Sequence, residues 1–194
     1  MTSAASQTSD RRRVGFTVLE MVLVLSLFML VVGGGIAALY FNRDEGRLND
    51  AVGEVEVLAK RARTLATLQQ RPYALEFTRG GVALMPYGEA TMDPDDRDML
   101  IAEENDAIES GSQEVAPGKR DAWRTEGDMT MLVRRWSTGE WEELKRNDRH
   151  VWRFDPQGIC EPFGVRIELE NGSWIAVLFH PLTAGVTEIE SEIL

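Results

Sequence analysis

Cysteine is almost absent. Cys160 has no mate in the chain, so no internal disulfide can form, and it reads as a buried structural thiol. Histidine is nearly as scarce. His150 and His180 fall at the ends of predicted strands, and with a single cysteine they make no transition-metal cluster. No nucleophile-elbow pattern occurs, so the chain is expected to be no enzyme and to need no cofactor. Positive charge is short as well. Residues 42–194 carry 18 Lys and Arg (21 less Arg11, Arg12 and Arg13) and 30 Asp and Glu (32 less Asp10 and Glu20), a net of −12. Nucleic-acid backbones are held by Lys and Arg, so no nucleic-acid partner is expected. The segment Asp93-Pro94-Asp95-Asp96-Arg97-Asp98, with Glu104 at the twelfth place, echoes a calcium loop. Arg97 occupies a ligand slot and Asp98 stands where the loop needs glycine, so it reads as a solvated acidic stretch without a metal.

What the chain does have is a run of 21 uncharged residues, Met21 to Phe41, directly after a lone carboxylate, Glu20. As a helix it would measure roughly 31 Å, the thickness of a bilayer's hydrocarbon core. Arg11, Arg12 and Arg13 precede it, which holds the N-terminus in the cytoplasm by the positive-inside rule. The run is too long for the apolar region of a cleavable secretory signal. A plain single-pass anchor explains length and orientation but not Glu20. An ionised carboxylate at membrane depth costs on the order of 2.5–3.5 kcal/mol and usually has a partner. A free amine at Phe16, four residues away on the same helical face, would be one if the chain were cut after Gly15. The same amine on a neighbouring chain would be another, and Glu20 would then set the register of assembly.

The run Arg13-Val14-Gly15-Phe16-Thr17-Val18-Leu19-Glu20, followed by an apolar helix, resembles the class III leader of type IV pilins and type II secretion pseudopilins. It departs in having Val18 where Leu is common. The resemblance implies cleavage between Gly15 and Phe16 by a prepilin peptidase, N-methylation of Phe16, and Glu20 as the assembly carboxylate. It further implies partners: the peptidase/methyltransferase, other pilin or pseudopilin subunits, an inner-membrane assembly platform and the membrane itself. The single cysteine departs from those pilins that carry a C-terminal disulfide loop.

Further on, Gly33 with Ala37 and Gly34 with Ala38 give small-xxx-small spacing, a helix-packing seam. Leu48, Val52, Val55, Leu58, Ala62, Leu65 and Gln69 recur every three or four residues, an amphipathic helix that Arg71-Pro72 ends. The expectation is one helix from about Thr17 to Gln70, roughly 80 Å long. Its first half belongs to the membrane and its second half needs a sheet to cover one face. Strand signals follow. Tyr73–Phe77 and Val82–Met85 flank Arg79-Gly80-Gly81 as a hairpin. An acidic segment, 88–120, reads as a loop with a short helix near Asp95–Ala107. Met129–Trp136 and Trp141–Leu144 form a second hairpin, His150–Phe154 a strand, Ile159–Phe163 with Val165–Leu169 one bent strand, and Asn171-Gly172 a turn into Ser173–Phe179. Val186–Ile189 closes the fold. Most of the five tryptophans are expected in the core.

The expected fold class is therefore α+β: a long N-terminal helix, membrane half plus amphipathic half, packed against antiparallel sheet, the pilin-like lollipop. Its segments are a leader 1–15, a membrane and filament-core helix 16–41, its amphipathic continuation 42–71, and a periplasmic β domain 72–194. The pieces Phe154-Asp155-Pro156-Gln157-Gly158 and His180-Pro181-Leu182-Thr183-Ala184-Gly185, around an Asn-Gly hairpin, resemble minor H-type pseudopilins. Ala184 departs from that pattern by intervening before Gly185. The resemblance implies a minor subunit of a type II secretion pseudopilus or a type IV pilus. The subunit would sit in the bacterial inner membrane with its C-terminal domain in the periplasm. The competing reading is an uncleaved, membrane-anchored periplasmic binding or sensor module.

Overall fold

A computed structural model describes residues 17–109 and 118–194, side chains excepted at 33–42 and 108–109. The chain divides into two units, Met1–Tyr40 and Phe41–Leu194. The helical run α1, Val18–Gln69, has residues in both.

Within the second unit, α1 buries Leu48, Ala51, Val52, Val55, Leu58, Ala59, Ala62 and Ala66. Three-and-four spacing puts them on one face. Four of the eight are alanine, so the backbone lies close against what it covers. The helix stops at Gln70, whose φ of +52° breaks the ladder just before Arg71-Pro72. Gln69, expected on the stripe, is exposed instead, and its Oε1 accepts a hydrogen bond from the Tyr73 hydroxyl at 2.8 Å.

Nine strands follow in two antiparallel sheets. Sheet A runs β3(Asp121–Arg124)-β2(Gly81–Pro86)-β1(Tyr73–Thr78)-β6(Arg149–Phe154). Sheet B runs β5(Trp141–Glu143)-β4(Met129–Arg135)-β7(Phe163–Leu169)-β8(Trp174–Phe179)-β9(Val186–Glu192). Alternation sorts their faces. Met129, Met131 and Val133 of β4 point into the same core as Leu75 and Phe77 of β1 and the buried face of α1. Trp152 is its centre, 1% exposed, with its ring 4.5 Å from Phe154, 4.9 Å from Phe163 and 5.2 Å from Phe179. Its indole N–H donates to the Glu161 carbonyl at 2.8 Å, so the one polar atom is satisfied. The expectation that most tryptophans fill the core is corrected: Trp123, Trp141 and Trp174 are half-buried and Trp136 is exposed.

The lollipop is corrected too. Among the described residues no helix is long and apolar enough to cross a membrane. From Arg43 onward α1 is charged on its open face. Among the described residues the structure is thus α-helix with two antiparallel sheets of nine strands, β1 and β2 falling before two shorter helices, and not the pilin-like lollipop.

The acidic segment holds the short helix expected near Asp95–Ala107 and a shorter one before it. It begins in α2(Tyr87–Ala90) and continues in α3(Pro94–Glu109), which starts where Asp93 Oδ1 accepts the Asp95 N–H. Residues 110–117 lie outside the described residues. Two ion-pair sets hold α2 and α3. Arg97 reaches Glu76 at 2.7 Å, a carboxylate only 4% exposed on the outer face of sheet A, with Arg149 at 3.6 Å on its other oxygen. Arg120 joins Glu89 at 2.7 Å to Glu104 at 2.8 Å. A buried carboxylate left unpaired costs several kcal/mol, which fixes where α3 can lie.

The β1–β2 turn turns on Gly81. Its φ is +143°, and a Cβ there would overlap the Trp123 carbonyl of β3. Gly81→Ala is expected to destabilise the fold by about 2–3 kcal/mol in denaturant unfolding. A change below about 0.5 kcal/mol would mean that the β2–β3 pairing tolerates a side chain there.

Candidate functional site

Thr17 starts α1. Its backbone carbonyl accepts the Met21 N–H at 3.2 Å, and its Oγ1 accepts the Glu20 N–H, also at 3.2 Å. Thr17 is therefore the N-cap and Glu20 the third helical residue, the spacing of a capping box. Glu20 is exposed in the first turn, where the positive end of the helix favours an acid. That interaction is worth typically 0.3–1 kcal/mol. It offsets only a part of the 2.5–3.5 kcal/mol cost of a carboxylate at membrane depth. The cap accounts for an acid at this position in water, and a further cationic partner is still required in an apolar setting.

Beyond Glu20 the side chains are apolar and uncovered. Thirteen large hydrophobic residues between Val18 and Val32 are exposed, among them Phe28 at 64% and Leu30 at 73%. An apolar surface of this extent calls for a cover of lipid or protein.

Gly15 and Phe16, the expected cleavage and methylation positions, lie outside the described residues. Gly33, Gly34, Ala37 and Ala38, the expected packing seam, fall in α1 by their backbone, while their side chains lie outside the described residues. Thr17 was legible in the sequence through its Thr-x-x-Glu spacing with Glu20.

The scarce residues have structural partners. Cys160 is buried, its thiol within 3.3 Å of the Pro181 carbonyl, and burial pushes its pKa up to about 12. It is therefore a poor nucleophile at neutral pH. His150 stacks on Phe163, with centroids 5.1 Å apart. Burial, then the charge of Arg135, hold its pKa down at about 4, so it stays neutral at pH 7. His180 Nδ1 accepts the Leu182 N–H at 3.1 Å inside the last turn, where Ala184 takes a φ of +52°. In the stretch that echoes a calcium loop, Asp93 caps α3, Arg97 pairs with Glu76 and Glu104 with Arg120. Among the described residues no three His, Cys, Asp or Glu side chains gather as a metal site.

The chain matches no protein family model, no curated protein and no solved structure.

Proposed function

We propose that the protein is a minor pilin or pseudopilin subunit, assembled through its N-terminal segment into a type II secretion pseudopilus or a type IV pilus. Before assembly it waits at the bacterial inner membrane with residues 72–194 in the periplasm. A prepilin peptidase removes residues 1–15 and methylates Phe16. The observation that carries this reading is the conjunction at the N-terminus: Gly15-Phe16, a Thr17 cap, Glu20 in the first turn, then eleven uncovered apolar side chains from Met21 to Val32. The exposed apolar surface supports a role in which neighbours or lipid supply the cover. Glu20 supports one in which a neighbour supplies a cation, and the amine of a trimmed Phe16 is of the right sign.

Gly15→Val tests the leader. A β-branched residue before the scissile bond is expected to block trimming, so that membrane extracts hold only the full-length chain on N-terminal sequencing. Mature ends at Phe16 in that variant would show that Gly15 does not define the cut.

A further inference from the structure

Sheet B ends in a cleft. The turn after β4, the start of β7 and the turn between β8 and β9 enclose about 420 Å³. That is within the range of pockets that take a ligand or a peptide side chain. Phe163, Leu178 and Pro181 supply apolar walls. Gly164 keeps the wall open, since a Cβ there would stand 2.9 Å from Leu178 and 3.0 Å from Trp141.

Three consecutive residues line the mouth: Arg134, Arg135 and Trp136. Trp136 is 76% exposed and makes no ring or cation contact among the described residues. Arg135 has no ion pair or side-chain hydrogen bond among the described residues. Arg134 lies 5.1 Å from the Trp141 ring centroid, and Glu188 and Glu190 face it across an adjoining pocket of about 100 Å³ without pairing with it. Seven arginines pair with carboxylates, as Arg47 does with Asp128 at 2.5 Å, whereas Arg134 and Arg135 pair with none among the described residues. Here two such arginines stand directly beside an exposed tryptophan. Trp and Arg are also the residue types that dominate binding energy at interfaces.

We propose that this cleft binds an acidic peptide segment of another protein, its carboxylate on Arg135 and an apolar side chain between Phe163 and Trp136. Charge selects the partner. Nucleic acid would need more cations than the cleft offers. A second copy would bring its own net −11 against the acidic strand β9, where Glu188 and Glu190 line the adjoining pocket. All the lining residues lie in the second unit, so the proposal is independent of the role given to the N-terminus.

The test uses the full chain in detergent micelles and a dye-labelled short peptide of alternating Glu and Leu, followed by fluorescence anisotropy. A peptide with Gln for Glu is the control. The Glu peptide is expected to bind at least about tenfold more tightly. Arg135→Glu and Trp136→Ala are each expected to weaken it about tenfold or more, with circular dichroism unchanged because both side chains are exposed. Glu20→Ala should leave binding as it is, which separates this site from the assembly segment. Equal affinity for the two peptides, no binding of either, or wild-type binding by folded Arg135→Glu would overturn the proposal. Self-association of the chain that Arg135→Glu abolishes would also overturn it, by making the occupant a second copy.

Discussion

Glu20→Ala is expected to be trimmed and methylated at the wild-type rate and then to be missing from sheared filaments. In the proposed reading the cut lies five residues upstream, so trimming would not need this carboxylate, whereas assembly would. Removing one partner of a desolvated charge pair costs about 3–5 kcal/mol, because the other charge is left unmatched. In a subunit association equilibrium that is more than a hundredfold. Alanine also removes the acid that complements the helix N-terminus, a smaller loss of at most about 1 kcal/mol. Glu20→Gln separates the two effects. It keeps the length and hydrogen-bonding capacity of the side chain at the third helical position, next to the Thr17 cap, and removes only the charge. If pairing with an amine governs entry into the filament, Gln fails as Ala does. Incorporation of Gln at wild-type levels would assign position 20 to the cap.

Trp152→Ala is the second large effect expected. The side chain is the largest of the fully buried ones, and it touches Phe154, Phe163 and Phe179, so it joins both sheets. Truncating a buried tryptophan costs about 3–5 kcal/mol through lost contacts and the cavity left behind. Domains of this size are stable by only about 5–15 kcal/mol, so the variant should unfold at much lower denaturant concentration or fail to accumulate. Trp152→Phe keeps a ring in the stack and loses the N–H that donates to Glu161, about 1–1.5 kcal/mol. The Ala-to-Phe difference in unfolding midpoint therefore reads the packing alone. Two variants of equal stability would place the centre of the core elsewhere.

The core of the second unit was readable because its signals are local. The three-and-four stripe of Leu48, Val52, Val55, Leu58 and Ala62 and the alternation through β4 and β7 need only neighbours in sequence. Arg71-Pro72 and Asn171-Gly172 mark their breaks by backbone chemistry, and the structure has Gln70 and Gly172 at positive φ beside them. What escaped depends on distant partners. Strand β3 has four residues of middling propensity, and it exists because Asp121–Arg124 pairs with β2 forty residues earlier. In the acidic stretch the short helix near Asp95–Ala107 was legible, but what holds it was not, since its mates lie elsewhere in sequence: Arg120 for Glu89 and Glu104, and Glu76 for Arg97. The lollipop was drawn from the apolar run Met21–Phe41, and among the described residues no helix is long and apolar enough to cross a membrane. The cleft at the end of sheet B brings together β4, β7 and the β8–β9 turn, which are far apart in sequence, so no local pattern marks it.

The central claim is that Glu20 is matched by an amine which exists only after residues 1–15 are gone. The intact mass of the protein extracted from membranes tests it most directly. The account predicts a chain that starts at Phe16 and carries one added methyl group. A mass equal to the full chain from Met1 would contradict it and leave the N-terminal segment as an untrimmed tether.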